Sequence, residues 1–319
     1  MKIFRIHIQS LLSVLVLLLC VSLFAACQKE DEDGEEVIPT ENCTSASSTF
    51  TINLDPNECD VDIEAVLGKN SQYTETINGT TRSMMINGVA NHNVGAFPRN
   101  GNPNAIGEAM QSFSMTTDPT IASSVTNGQG YDVAVLFSGV AVDPYTAEFF
   151  RTSAGGVNRD WNITTLTTAV NLGLDCNNAH VQPTGKYHYH GTPSAYVADL
   201  GANGSEMTKV GYAADGFPVY YKYAYTSDGG SIVAFESGYQ LKEGNRPGNG
   251  STAPDGCHDG TYFQDYEYVA GVSELDECNG RFGKTPEAAT GEYYYLITDN
   301  FPSVPLCFSG TPDPSFNKR

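Results

Sequence analysis

Apolar residues in this chain form one long block followed by many short runs. The block extends from Leu11 to Phe24 behind the positive residues Lys2 and Arg5, broken only by two serines and a cysteine, and it closes on Ala25-Ala26-Cys27. At about 14 residues it is shorter than the roughly 18 to 20 a bilayer-spanning helix needs. This pattern predicts a lipoprotein signal peptide over residues 1–26, with acyl chains on Cys27 as the new N-terminus. Residues 27–47 open with the run Lys29-Glu30-Asp31-Glu32-Asp33 and have little to bury, so they read as a solvated tether.

From there on the apolar positions recur in short stretches. Thr49 to Leu54, Tyr73 to Ile77, Arg82 to Ile86 and Asp132 to Val142 are candidate strands, punctuated by Asn78-Gly79, Asn87-Gly88, Asn100-Gly101 and Asn127-Gly128. The two runs flanking Asn78-Gly79 suit a hairpin. Val219 to Tyr225, Tyr262 to Val269 and Glu292 to Thr298 are aromatic and β-branched, which also favours strands. Helical periodicity is scarce; Thr165 to Leu172, ending beside Gly173, is the best short candidate. The expectation is a mainly β, loop-rich antiparallel sandwich or sheet with few short helices, in a single domain over residues 48–319.

Composition narrows the function. Loss of residues 1–26 removes Lys2 and Arg5 and moves the formal net charge from −20 to −22, which excludes nucleic acid as a partner. Cys20 leaves with the signal and Cys27 takes the lipid, so the folded part keeps Cys43, Cys59, Cys176, Cys257, Cys278 and Cys307. An even number in an oxidising compartment predicts disulfide staples, with Cys43–Cys59 the easiest local pair. The rival reading, Cys176 or Cys257 as a metal ligand, is weakened because neither belongs to a C-x-x-C pair.

The densest chemistry lies between Asp175 and Gly191, where His180, His188 and His190 fall within eleven residues. On an extended segment side chains alternate, so His188 and His190 point the same way, with Tyr187 and Tyr189 opposite. The turn at Pro183-Thr184-Gly185 can fold His180 back toward them. Three imidazoles form a metal site for zinc or copper, with a fourth position open for substrate. His92 and His258 are isolated further candidates. Asp215 and Asp276, the latter beside Glu277, are candidate catalytic carboxylates that could orient an imidazole or act as a general base, and each also suits an Asx turn. No G-x-S-x-G, phosphate loop, dinucleotide fingerprint or D-x-D-x-D-G calcium loop is present.

At these residues the chain resembles the YHYH-domain family, through Tyr187-His188-Tyr189-His190 and the preceding Ala179-His180-Val181-Gln182-Pro183-Thr184-Gly185-Lys186. The resemblance continues in Asn91-His92, Phe97-Pro98, Asn102-Pro103-Asn104, Gly139-Val140-Ala141-Val142-Asp143-Pro144 and Asp215-Gly216-Phe217-Pro218-Val219-Tyr220. It closes with Leu275-Asp276-Glu277-Cys278-Asn279-Gly280-Arg281-Phe282, Pro286-Glu287 and Phe301-Pro302, so it spans about Met85 to Pro312 as one domain. It implies an exported bacterial protein with a metal site and gives weight to Asp215 and to the Asp276–Arg281 segment; it assigns no reaction. Lys29 and the acids behind Cys27 also resemble the export signal of Bacteroidota lipoproteins. That implies an outer-membrane lipoprotein on the cell surface, the alternative being the periplasmic face.

Three functional classes fit these features. One is a zinc or copper centre of His180, His188 and His190, helped by His92 or Asp215, acting by hydrolysis or redox chemistry on an extracellular substrate. A second is a non-catalytic module binding glycan or peptide through Tyr220, Tyr221, Tyr223 and Tyr262. The third is a structural adhesin-like domain.

Overall fold

The computed structural model describes Cys43 and residues 47–318 apart from Asp228. The expected signal peptide, the lipidated Cys27 and nearly all of the tether lie outside the described residues.

The hairpin expected around Asn78 is present. Strands β1 (Tyr73–Asn78) and β2 (Thr81–Ile86) pair antiparallel across the two-residue loop Gly79-Thr80, and Gly79 takes the positive φ of 59° that such a loop requires at its first position. In β2, Arg82, Met84 and Ile86 are buried while Thr81, Ser83 and Met85 face water, the period-two pattern of a half-buried sheet. Strand β3 (Gln111–Thr116) completes this three-stranded sheet and packs Phe113 and Met115 into the core beside Met84 and Ile86.

The run Asp132 to Val142, expected as one strand, is a hairpin instead. β4 (Ala134–Leu136) and β5 (Ala141–Val142) pair antiparallel around a reversal at Gly139, whose φ is +81° and whose missing Cβ would sit 2.8 Å from Ser71 Oγ. Uniformly apolar residues on both arms hide such a turn from a pattern reading. With β6 (Ala179–Val181), β7 (Tyr187–Tyr189), β8 (Lys209–Ala213), β9 (Pro218–Tyr221), β10 (Gly280–Gly283) and β11 (Glu292–Ile297) these form an eight-stranded sheet in the order β10-β11-β9-β8-β4-β5-β7-β6. Five neighbouring pairs are antiparallel; β9–β11 and β5–β7 are parallel. The fold is thus mainly β as expected, but its large sheet is mixed.

Along β11 both faces are covered. Tyr293, Tyr295 and Ile297 of β11 join the main core, while Tyr294 and Leu296 join a second cluster with Tyr220. A buried tyrosine needs an acceptor for its hydroxyl. Here Tyr187 donates to Asp175 at 2.8 Å, Tyr295 to Asp215 at 2.5 Å and Tyr293 to Asp276 at 2.7 Å.

Two short α-helices are present among the described residues. α1 (Ile63–Leu67) is capped by the Asp62 side chain and stopped by left-handed Gly68; α2 is Ser194–Asp199. The helix expected over Thr165–Leu172 does not form. Thr51 N–H donates to Leu166 O and Thr168 N–H to Thr49 O, so the backbone of this threonine-rich segment is bonded to the Thr49–Thr51 stretch rather than to itself. That same exchange reduces the strand expected at Thr49–Leu54 to a single bridge at Phe50.

The three disulfides are Cys43–Cys257, Cys59–Cys176 and Cys278–Cys307. The expected local Cys43–Cys59 bond is therefore wrong. Each of the two cysteines lies against a segment more than 100 residues away, 214 for Cys43 and 117 for Cys59, a proximity that chain folding creates and spacing does not reveal. Cys176 and Cys257 are consumed in these bonds and hold no metal.

Candidate metal centre

The segment from Ala179 to Tyr189 is a β-hairpin. Gln182 N–H donates to Lys186 O at 2.9 Å and Gly185 N–H to Gln182 O at 2.8 Å, closing the turn. Gly185, at φ +89°, lies so close to Gly107 that a Cβ would come within 3.2 Å of its nitrogen. The loop is fastened from the side by Lys186, whose ammonium bonds both oxygens of buried Asp132 at 2.7 and 2.6 Å. This closure sets the register, in which His188 stands directly opposite His180. Directly opposed side chains share a face, and His190, two residues beyond His188, continues it.

The three imidazoles converge. Their ring centroids are 4.8 Å (His180–His188), 4.7 Å (His180–His190) and 4.6 Å (His188–His190) apart, and one nitrogen from each lies within 4.8 Å of the others. His180 Nδ1 lies 3.0 Å from Leu172 O and His188 Nδ1 3.3 Å from Lys186 O. A carbonyl only accepts, so each Nδ1 carries the proton and leaves Nε2 as the free ligand atom, the orientation common to metal-binding histidines. His190 is 2 % exposed, and neither of its ring nitrogens makes a well-formed hydrogen bond among the described residues, the backbone of Asp143 being the polar group that acts on the ring. Burial pushes all three imidazoles toward the neutral form, and the neighbouring rings push His188 and His190 further. Neutral imidazole is the form that ligates.

These rings line a cavity of about 520 Å³, whose wall includes Asp143, Tyr145, Glu148, Arg159 and Lys318. Asp143 follows β5 and its N–H donates to Tyr189 O at 2.8 Å, which sets it beside the strand that carries His188. Burial pushes its carboxyl up to about 6, opposed by the ammonium of Lys318 that bonds it. Of these wall residues, only Asp143 stood within a motif visible in the sequence. Arg159 and Lys318 reach the cavity from remote segments and had no local signal.

Other expected site residues lie elsewhere. His92 is on the tyrosine face of the hairpin: its Nε2 is 2.6 Å from Tyr189 Oη and its ring stacks on Tyr189, so it stands apart from the three-histidine group. Asp215, in the β8–β9 turn, accepts from Tyr295 Oη and from Gly310 N–H at 2.9 Å. Asp276 accepts from Cys278 and Gly280 N–H, both at 2.9 Å, in the Asx-type arrangement weighed as its alternative. Neither carboxylate lines the histidine cavity, and His258 is outside the histidine group. Tyr220, Tyr221 and Tyr262 are buried and Tyr223 is half-buried, so these four do not form an exposed platform.

The placement of His92 has a pH consequence. Burial lowers it from 6.5 to about 4, so it is neutral in the folded protein when it would be protonated in the unfolded chain. The unfolded state then binds more protons between these values, and the stability His92 permits above pH 6.5 is lost as pH falls toward 4, by about 2 kcal/mol at pH 5. Burial also raises the Asp175 carboxyl and lowers the three clustered imidazoles, so the difference from a His92→Gln variant isolates the effect. Urea midpoints from pH 7.5 to 4.5 are expected to fall more steeply for the wild type; parallel curves would contradict the assignment.

Comparison with known proteins bears on the hairpin directly. A family model described as YHYH protein matches residues 112–310, which contain all three histidines and both candidate carboxylates. No curated protein matches the chain, and no solved structure does.

Proposed function

Because the chain belongs to the YHYH family, whose defining tetrapeptide supplies two of three convergent imidazoles, we propose that it is an exported metal protein with a zinc or copper ion at His180, His188 and His190. The observation that carries this reading is the convergence of three imidazoles within 4.8 Å, with buried His190 lacking a well-formed hydrogen bond. Leaving a buried polar atom unbonded costs about 1 to 3 kcal/mol, a cost that ligation would remove. Three neutral imidazoles suit zinc and copper alike, and three protein ligands leave a position open toward the cavity.

When bound, the metal supplies Lewis acidity for hydrolysis, or an electron if it is copper, at that open position. The chain's own groups do the rest. The carbonyls of Leu172 and Lys186 hold two imidazoles in one tautomer, and Asp143 and Lys318 present a charge pair to whatever enters. The cavity suits a small molecule, or the end of a glycan or peptide. Lipidation at Cys27 would hold this site at the outer membrane, on the cell surface or facing the periplasm. The three disulfides fit either oxidising location.

Metal content tests the reading. The mature chain, exported in oxidised form without a histidine tag, is expected to hold about one zinc or copper per chain, and a His188→Ala/His190→Ala variant none. Equal and negligible metal in both, after reconstitution with each ion, would make these histidines structural.

A further inference from the structure

Acidic residues outnumber basic ones 37 to 17 in the chain, yet the histidine cavity carries two of each: Asp143 and Glu148 against Lys318 and Arg159. Their arrangement is not neutral in effect. Asp143 is buried and already bonded by Lys318, so its charge is cancelled where it stands. The Lys318 side chain is 27 % exposed and keeps ammonium donors beyond the one directed at Asp143. It is carried there by the C-terminal segment: Phe316 is fully buried, Asn317 bridges Tyr131, and Lys318 N–H donates to Gly130 O at 2.9 Å.

Arg159 makes no ion pair among the described residues. Its guanidinium carbon lies 5.1 Å from the centroid of Phe149, a contact that orients the group and leaves its charge available. The floor of three neutral imidazoles adds no negative charge, as carboxylate ligands would, so a bound divalent ion makes it positive. Exposed Glu148 alone opposes.

We propose that this cavity selects a small substrate bearing an oxyanion, a carboxylate or phosphate group, gripped between the metal position and the side chains of Lys318 and Arg159. The proposal rests on the metal reading above. Ammonium and guanidinium groups make their strongest hydrogen bonds to such oxygens. The acidic surface repels anions at a distance, so selection depends on these contacts at close range.

The test is calorimetry on the zinc-loaded mature chain with inorganic phosphate and, separately, acetate, at fixed ionic strength, with zinc content measured for every variant. One anion per chain is expected, the stronger of the two probes revealing which oxyanion the site prefers. Lys318→Met should weaken it about tenfold or more and Arg159→Gln by several-fold, with zinc unchanged. Lys318→Arg keeps the charge beside Asp143 and should restore most of the binding, which separates loss of the grip from local damage. A chain that holds zinc and binds neither anion overturns the proposal and leaves the metal reading standing. Anion binding indifferent to both substitutions places the anion on the metal alone and overturns the roles of Lys318 and Arg159. Failure to take up either zinc or copper overturns the metal reading itself.

Discussion

Replacing His190 by leucine is expected to stabilise the metal-free protein by about 2 kcal/mol, while making it less stable than the wild type once metal is supplied. The imidazole of His190 is 2 % exposed and neither nitrogen makes a well-formed hydrogen bond, so in the absence of an ion it bears a desolvation cost that is poorly compensated. Leucine has a comparable volume, fills the space and removes that cost. With free metal 1,000-fold above its dissociation constant, a site on the native state alone adds about 4 kcal/mol to the wild type. The order of the two proteins should therefore invert. Urea unfolding with chelator and with zinc would show the crossing. A leucine variant less stable under both conditions would mean that His190 packs as a structural residue.

Removing the Cys59–Cys176 bond, as Cys59→Ser/Cys176→Ser, is expected to cost about 4 kcal/mol. The bond closes a loop of 117 residues, long enough for its loss to release substantial entropy in the unfolded chain. It also secures the turn that enters the histidine hairpin. Cys176 sits between Asp175, which accepts from Gly95, Asn177 and Ala179 N–H, and Asn177, whose side chain accepts from Ala195 N–H. Those bonds persist without the disulfide, so zinc stoichiometry in the folded variant should be unchanged while the urea midpoint drops. A loss below about 1 kcal/mol would show that the surrounding hydrogen bonds alone define the turn.

What could be read from sequence was whatever depends on neighbours along the chain. Alternation placed His188 and His190 on one face, and the Pro183–Gly185 turn returned His180 to it; both follow from backbone geometry over a dozen residues. The Tyr73–Ile86 hairpin was legible for the same reason. Features made by distant segments were not. His92 is part of the same family resemblance, yet it lies behind the hairpin, against the hydroxyl of Tyr189. Asp215 and Asp276 resemble catalytic acids in sequence and accept from buried tyrosines of β11 in the fold. The threonine-rich run at Thr165 carried a helical pattern that pairing with Thr49–Thr51 overrode. Lys318 and Arg159 reach the cavity through tertiary packing that no spacing encodes.

The closeness of His180, His188 and His190 in sequence has an effect on the unfolded protein. Eleven residues enclose all three, so bringing them together costs a disordered chain little loop-closure entropy. Under the proposed metal reading, the disordered chain can therefore hold the ion before the sheet assembles. Binding to that unfolded loop subtracts from the native-state gain, so the rise of unfolding midpoint with zinc concentration levels off once the disordered chain is also saturated. At that plateau, the extra stability measures the preorganisation that the strand pairing gives to the three rings, separately from the intrinsic affinity of imidazole for the metal.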